Sequence, residues 1–161
     1  MKTARRRARE FAVQGIYEWQ LNPDRPASQI EKHLRENDYF AKADEALFRT
    51  ILYGVLQDAE QLSQQLSQHY ERAPSEVSPV ERAILLMAAL ELNKQVETPY
   101  PVIINEAIEI AKTFGGTDGH KFVNGVLDKL AVVIRPDEVR QKPRRPQPEP
   151  AAAPDAEPDA E

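Results

Sequence analysis

The chain has 161 residues, with 21 Lys and Arg against 26 Asp and Glu for a formal net charge of −5, and no cysteine. This length suits one domain with a single buried core, while the missing cysteines exclude disulfides, thiolate metal sites and a cysteine nucleophile and are consistent with a reducing cytoplasm. No run approaches the roughly 18 consecutive apolar residues of a membrane span, so a soluble, cytoplasmic protein is expected.

The charge is unevenly spread. Lys2, Arg5, Arg6, Arg7 and Arg9 stand against Glu10 alone in the first ten positions, a local net of +4 that leaves −9 for the rest. A secretory leader would continue into an apolar run, whereas here Glu10, Gln14, Glu18 and Gln20 interrupt the hydrophobic residues. The segment instead predicts a helix. Ala4, Ala8, Phe11, Ala12, Gly15, Ile16 and Trp19 form an apolar stripe that ends before Asn22 and Pro23. On its other side Arg5, Arg9, Val13 and Tyr17 recur at i+4 steps.

A short second helix is expected from Ser28, with Glu31 completing a capping box and Ile30 and Leu34 facing inward. From about Asp44 a long pattern runs through Phe48, Ile51, Leu52, Val55, Leu56, Ala59, Leu62 and Leu66 to Tyr70. Ser78-Pro79-Val80-Glu81 combines an N-cap, a first-turn proline and a capping-box glutamate ahead of RAILLMAALEL, which is apolar on most sides and predicts the most buried helix. VIINEAIEIAKTF gives a further helix closed by Gly115-Gly116, and a last one is expected over about 118–133. No segment alternates with period two, so the fold class is all-α with six or seven helices. Residues 142–161 carry six of the chain's thirteen prolines and no large apolar residue, a composition that predicts a disordered tail after a domain over 1–141.

The sequence carries no recognisable constellation for reaction chemistry. His33, His69 and His120 are scattered and form no ligand motif. The stretch GGTDGHKF spaces glycines as a KH clamp loop does but lacks the flanking strands, and no P-loop or nucleophile elbow is present. Glu106 and Glu109 share a helix face at i, i+3 without a nucleophile or metal group nearby, and read as a solvated face and a local hydrogen-bonding group. No enzyme, cofactor or metal is expected. The opening helix remains: guanidiniums bind phosphate and an exposed tyrosine stacks on an unpaired base, the combination that single-stranded RNA recognition uses. The competing reading is a solubilising arginine face with Tyr17 packed.

ARRRAREFAVQGIYEWQ at the front and INEAIEIAKTFGGTDGHKFVNGVLDKL near the end resemble the NusB family of bacterial transcription antitermination factors. The likeness runs to about residue 136. It implies seven helices in two small packed bundles, and a protein that binds the boxA element of ribosomal RNA transcripts with NusE, a small-subunit ribosomal protein, within the RNA polymerase antitermination complex. The resemblance implies an RNA surface comprising Lys2, Arg5, Arg6, Arg9, Tyr17, Asp118, Lys121 and Phe122, and a partner-facing Glu81. Phe122 shares a face with Val126 and Lys129, while Val123, Val126, Leu127 and Leu130 suffice for a core stripe, so stacking and core packing both stand. Asp118 repels phosphate and is expected to cap the last helix or to accept from a base edge; Glu81 also fits the capping box. Two other readings are weighed: the NusB-like domain of ribosomal RNA cytosine methyltransferases, for which this chain lacks the length and the catalytic cysteine, and a helical adaptor that binds protein without RNA. Monomer and homodimer both stay open.

Overall fold

A computed structural model describes residues 2–114 and 118–141. The described residues form seven α-helices, α1 (Ala4–Leu21), α2 (Ala27–Leu34), α3 (Glu45–Ser67), α4 (Pro79–Lys94), α5 (Tyr100–Phe114), α6 (Gly119–Ile134) and α7 (Pro136–Arg140), two 3-10 turns at Asp38–Lys42 and Pro74–Glu76, and no strand. The expected glycine closure at 115–116 and the expected tail at 142–161 lie outside the described residues.

Side-chain caps open three of the helices, α1, α3 and α4. Thr3 accepts from the Arg6 N–H at 3.0 Å to open α1, and Asp44 accepts from the Leu47 N–H at 3.1 Å to open α3. At α4 the box is complete: Ser78 Oγ accepts from the Glu81 N–H at 3.1 Å, and Glu81 accepts from the Ser78 N–H at 3.0 Å. The box expected at Ser28 does not form. α2 starts at Ala27 after Pro26 with no side-chain cap, because Glu31 is drawn to the Tyr53 hydroxyl at 2.6 Å and to the Arg35 guanidinium at 2.6 Å. Nor does the Asp118 side chain cap α6; its main-chain carbonyl accepts from Lys121 and Phe122 instead. The long third helix is not smooth, since Asp58 (φ −110°, ψ 18°) kinks it, and it stops at Ser67, short of Tyr70.

α4 is the centre of the molecule. It packs against α1 and α3 on one side and α5 and α6 on the other, while α2 lies on α1 and α3 and α7 on α6. The two bundles therefore share one helix, and Ile84, Leu85, Leu86, Met87 and Leu90 link them into one continuous apolar core. Each such side chain contributes about 1.5–3 kcal/mol by leaving water. Helix directions are fixed by polar contacts. Arg9 meets Glu91 and Gln20 meets Pro79, so α1 runs antiparallel to α4; Gly119 abuts Glu81 and Arg135 meets Gln95, so α6 runs parallel to it. Arg135 is a buried clamp on the end of α4, donating to the carbonyls of Glu91, Leu92, Gln95 and Thr98 at 2.6–3.3 Å. Among these the Leu92 carbonyl is a last-turn oxygen of α4, while the Glu91 and Gln95 carbonyls already accept from the N–H groups of Gln95 and Thr98. α7, which the apolar pattern did not reveal, starts at Pro136 directly after this clamp.

Candidate nucleic-acid interface

The five basic residues of the opening are stitched to the rest of the molecule. Lys2 pairs with Glu10 at 3.0 Å and Arg5 with Asp44 at 3.5 Å. Arg6 grips Glu106 with two bonds of 2.8 and 2.9 Å. The Arg7 guanidinium lies 5.0 Å from the centre of the Tyr39 ring. Arg9 and Glu91 are both fully buried and joined by two bonds of 2.7 and 2.8 Å, with Glu106 a further 3.8 Å from Arg9.

This corrects the expectation of an exposed guanidinium row. Arg9 does not reach the surface, and Val13 beside it is buried as well, because α4 covers the flank of α1 adjoining its apolar stripe. The row survives at its two ends, in Arg5 and Tyr17, both partly exposed. Of the two readings given to Glu106 and Glu109, a solvated face and a hydrogen-bonding group, Glu106 follows the second, though its partner is distant in sequence: it is mostly covered and holds Arg6. Those hydrogen bonds raise the Arg6 pKa above its already high ordinary value against the opposing effect of burial, with the charges of Glu106, Glu109 and Glu10 adding to them. The pair engages two of the five guanidinium donors, so Arg6, like Lys2 and Arg5, presents charge at a partly open surface.

The second group gathers at the opposite end of α1. Arg6 and Tyr17 are eleven residues apart, roughly 16 Å of helix. One turn beyond Tyr17, Gln20 donates to the Pro79 carbonyl at 2.9 Å and sets this end of α1 beside the start of α4. There Glu81 is buried within its capping box, and a side chain at Gly119 would come within 3.2 Å of its carboxylate. Asp118 and Lys121 are about three-quarters exposed and pair at 3.6 Å. Tyr17 is partly buried and packs on the core.

Phe122 is both packed and presented. It is partly buried against the core, its ring centre lies 5.6 Å from that of Tyr70, and the Arg72 guanidinium sits 3.8 Å above it. Arg72 also donates to Glu81 at 3.1 Å and to the Glu76 carbonyl at 3.2 Å. Burial pushes the Tyr70 hydroxyl pKa up, with the charge of Arg82 opposing. Sequence reasoning missed Arg72, which lies in a connection with no periodicity. It also missed the partner of Arg9, though a signal existed: Glu91 is the one acid inside the apolar run that starts at Ala83 and ends at Leu92.

The sequence model of the NusB family matches residues 6–132. A transcription antitermination protein NusB from Chromobacterium violaceum is 81% identical over 148 residues, 91% of this chain and 99% of that protein. One from Laribacter hongkongensis is 70% identical over 138 residues, 86% of this chain and 83% of that protein. One from Neisseria meningitidis serogroup B is 54% identical over 142 residues, 88% of this chain and all of that protein. Among solved structures, T. maritima NusB matches with a TM-score of 0.73 at 30% identity, covering 87% of this chain and 99% of its own.

Proposed function

Because this chain belongs to the NusB family, we propose that it is a transcription antitermination factor that binds the boxA element of ribosomal RNA transcripts together with NusE and helps RNA polymerase resist termination. The observation that carries this reading is the 81% identity across 99% of a relative named for that activity. The side chains supply a physical route. Lys2, Arg5 and Arg6 offer charge to phosphates at one end of α1, and Tyr17, Lys121 and Phe122 offer rings and a cation at the other, roughly 16 Å away along α1. A single strand of a few nucleotides spans that distance. Arg9 serves from beneath, fixing α1 on α4 so that both ends keep their places. Asp118 accepts from a base edge, and Glu81, largely covered in its box, serves the protein partner by holding Arg72 and the start of α4 in place. The role is one of binding, without catalysis, carried out in the cytoplasm by a domain over 1–141.

A second reading has one observation in its favour: Arg5 and Arg6 both have acidic partners within the fold, as a protein-binding adaptor without RNA would need. Fluorescence anisotropy with single-stranded ribosomal leader RNA separates the two. Binding that weakens with salt supports the first reading; NusE binding with no RNA binding at any salt supports the second.

A further inference from the structure

We infer that Arg72 is an RNA-contacting residue, presenting the outer face of its guanidinium as the plane on which an unpaired base stacks. The inference rests on the RNA-binding reading above and refines it. Phe122 offers an aromatic ring, but one face is taken: the Arg72 guanidinium carbon lies 3.8 Å from the ring centre, and no base fits between them. The Tyr70 ring closes another side, tilted at 49°. What the site presents outward above that face of the ring is Arg72, whose side chain keeps 30% of its exposure.

The guanidinium is held in place by three contacts from different parts of the chain. Phe122 supports it from α6, Glu81 Oε1 accepts from it at 3.1 Å at the start of α4, and the Glu76 carbonyl accepts at 3.2 Å from the preceding 3-10 turn. Glu81 is itself fixed by Ser78. A planar, weakly hydrated group held this way has already lost the rotamer freedom that binding would otherwise cost, and guanidinium planes are a recognised platform for unstacked bases.

Charge decides which part of the nucleotide it meets. Arg72, Arg82, Lys121 and Lys129 share this end of the molecule with Glu71, Glu76, Glu81 and Asp118, with Lys129 on Glu71 at 2.6 Å and Lys121 on Asp118 at 3.6 Å. Four cations against four anions leave little net field over Arg72 itself; the phosphate contact at this end falls to Lys121, whose side chain is about three-quarters exposed. Arg72 Nη1 makes both of its bonds, to Glu81 and to the Glu76 carbonyl, which fixes the guanidinium plane over Phe122. A flat face remains, and its complement is a nucleobase.

The test is a cycle between protein and RNA. The full chain and Arg72→Lys, which keeps the charge but removes the plane, are titrated with single-stranded boxA RNA and with versions abasic at one nucleotide at a time. The parent should lose roughly 5- to 150-fold in affinity at one abasic position. Arg72→Lys should lose a similar factor on intact RNA and nothing further at that position, with an unchanged salt slope. If the lysine variant loses its circular dichroism signal, Arg72→Gln, which retains a planar donor toward Glu81, takes its place and should show the same non-additivity. Losses that add at every position, parent-like affinity in a folded variant, or weakened NusE binding with intact RNA binding would each overturn the assignment. A parent chain that binds none of these RNAs would instead remove the RNA-binding reading, and this inference with it.

Discussion

Arg9→Met separates a buried arginine from a docking one. In the parent both members of the Arg9–Glu91 pair are fully buried and joined by bonds of 2.7 and 2.8 Å, so removing the guanidinium leaves Glu91 in the interior without its counterion. Breaking one side of a buried pair costs about 3–5 kcal/mol. For a domain of this size that corresponds to a fall of roughly 10–20 °C in Tm, and in urea to a lower midpoint at unchanged m. Replacing both partners, Arg9→Met with Glu91→Leu, removes the desolvation penalty too and should return stability to within about 1 kcal/mol of the parent, or above it. That folded double variant is then titrated with RNA over a salt series. Because Arg9 does not reach the surface, affinity and salt slope should match the parent, whereas losing a phosphate-docking arginine flattens the slope by about 0.7. A single variant that loses less than about 1 kcal/mol, or a stable double variant with a flattened slope, would refute the reasoning.

Freeing Arg6 by Glu106→Gln should strengthen RNA binding by roughly 2- to 5-fold, the order of one partly exposed ion pair; weaker binding in anisotropy titrations would show that Arg6 does not dock phosphate. Gly15→Ala places a methyl 3.0 Å from Leu52, 3.2 Å from Ile30 and 3.2 Å from Leu34 and should cost about 1–3 kcal/mol by overpacking. Gly125→Ala on α6 meets nothing within 4 Å and should stabilise by about 0.5–1 kcal/mol through helix propensity; urea midpoints check both signs. Burial pushes the Glu31 carboxyl up, but hydrogen bonds from Tyr53 and Arg35 outweigh it and hold its pKa below the ordinary carboxylate value. A depressed folded-state pKa contributes stability that is complete above the unfolded value, about 4.3, and lost as pH falls through the folded one. Glu31→Gln should therefore flatten the acid limb of a stability-versus-pH curve, and an unchanged limb would count against that account.

The fold was largely legible because its helix boundaries are written in local chemistry. The Ser78 box, the Asn22-Pro23 stop and the apolar run through Met87 each act within a few residues, and each stands where the pattern put it. The failures came where a side chain had two possible partners and the tertiary one won. Glu31 left a cap for Tyr53 and Arg35, and Arg9 left a row of arginines for Glu91, 82 residues away in sequence. Helical spacing places a residue on a face but does not say which faces a neighbouring helix will cover. For the candidate site, the opening cations and Phe122 could be named from sequence. The contact that sets how Phe122 is presented could not, since Arg72 comes from a connection whose path is fixed only by packing and by the acceptors at Glu76 and Glu81.

The central claim is tested most directly by titrating single-stranded boxA RNA with the full chain, with and without saturating NusE, across a salt series. With Lys2, Arg5, Arg6 and Lys121 as phosphate contacts, log affinity should fall against log salt with a slope near −3. NusE should tighten RNA binding by roughly 5- to 150-fold, the range usual for coupled sites. No RNA binding, or one affinity with and without NusE, would contradict the account.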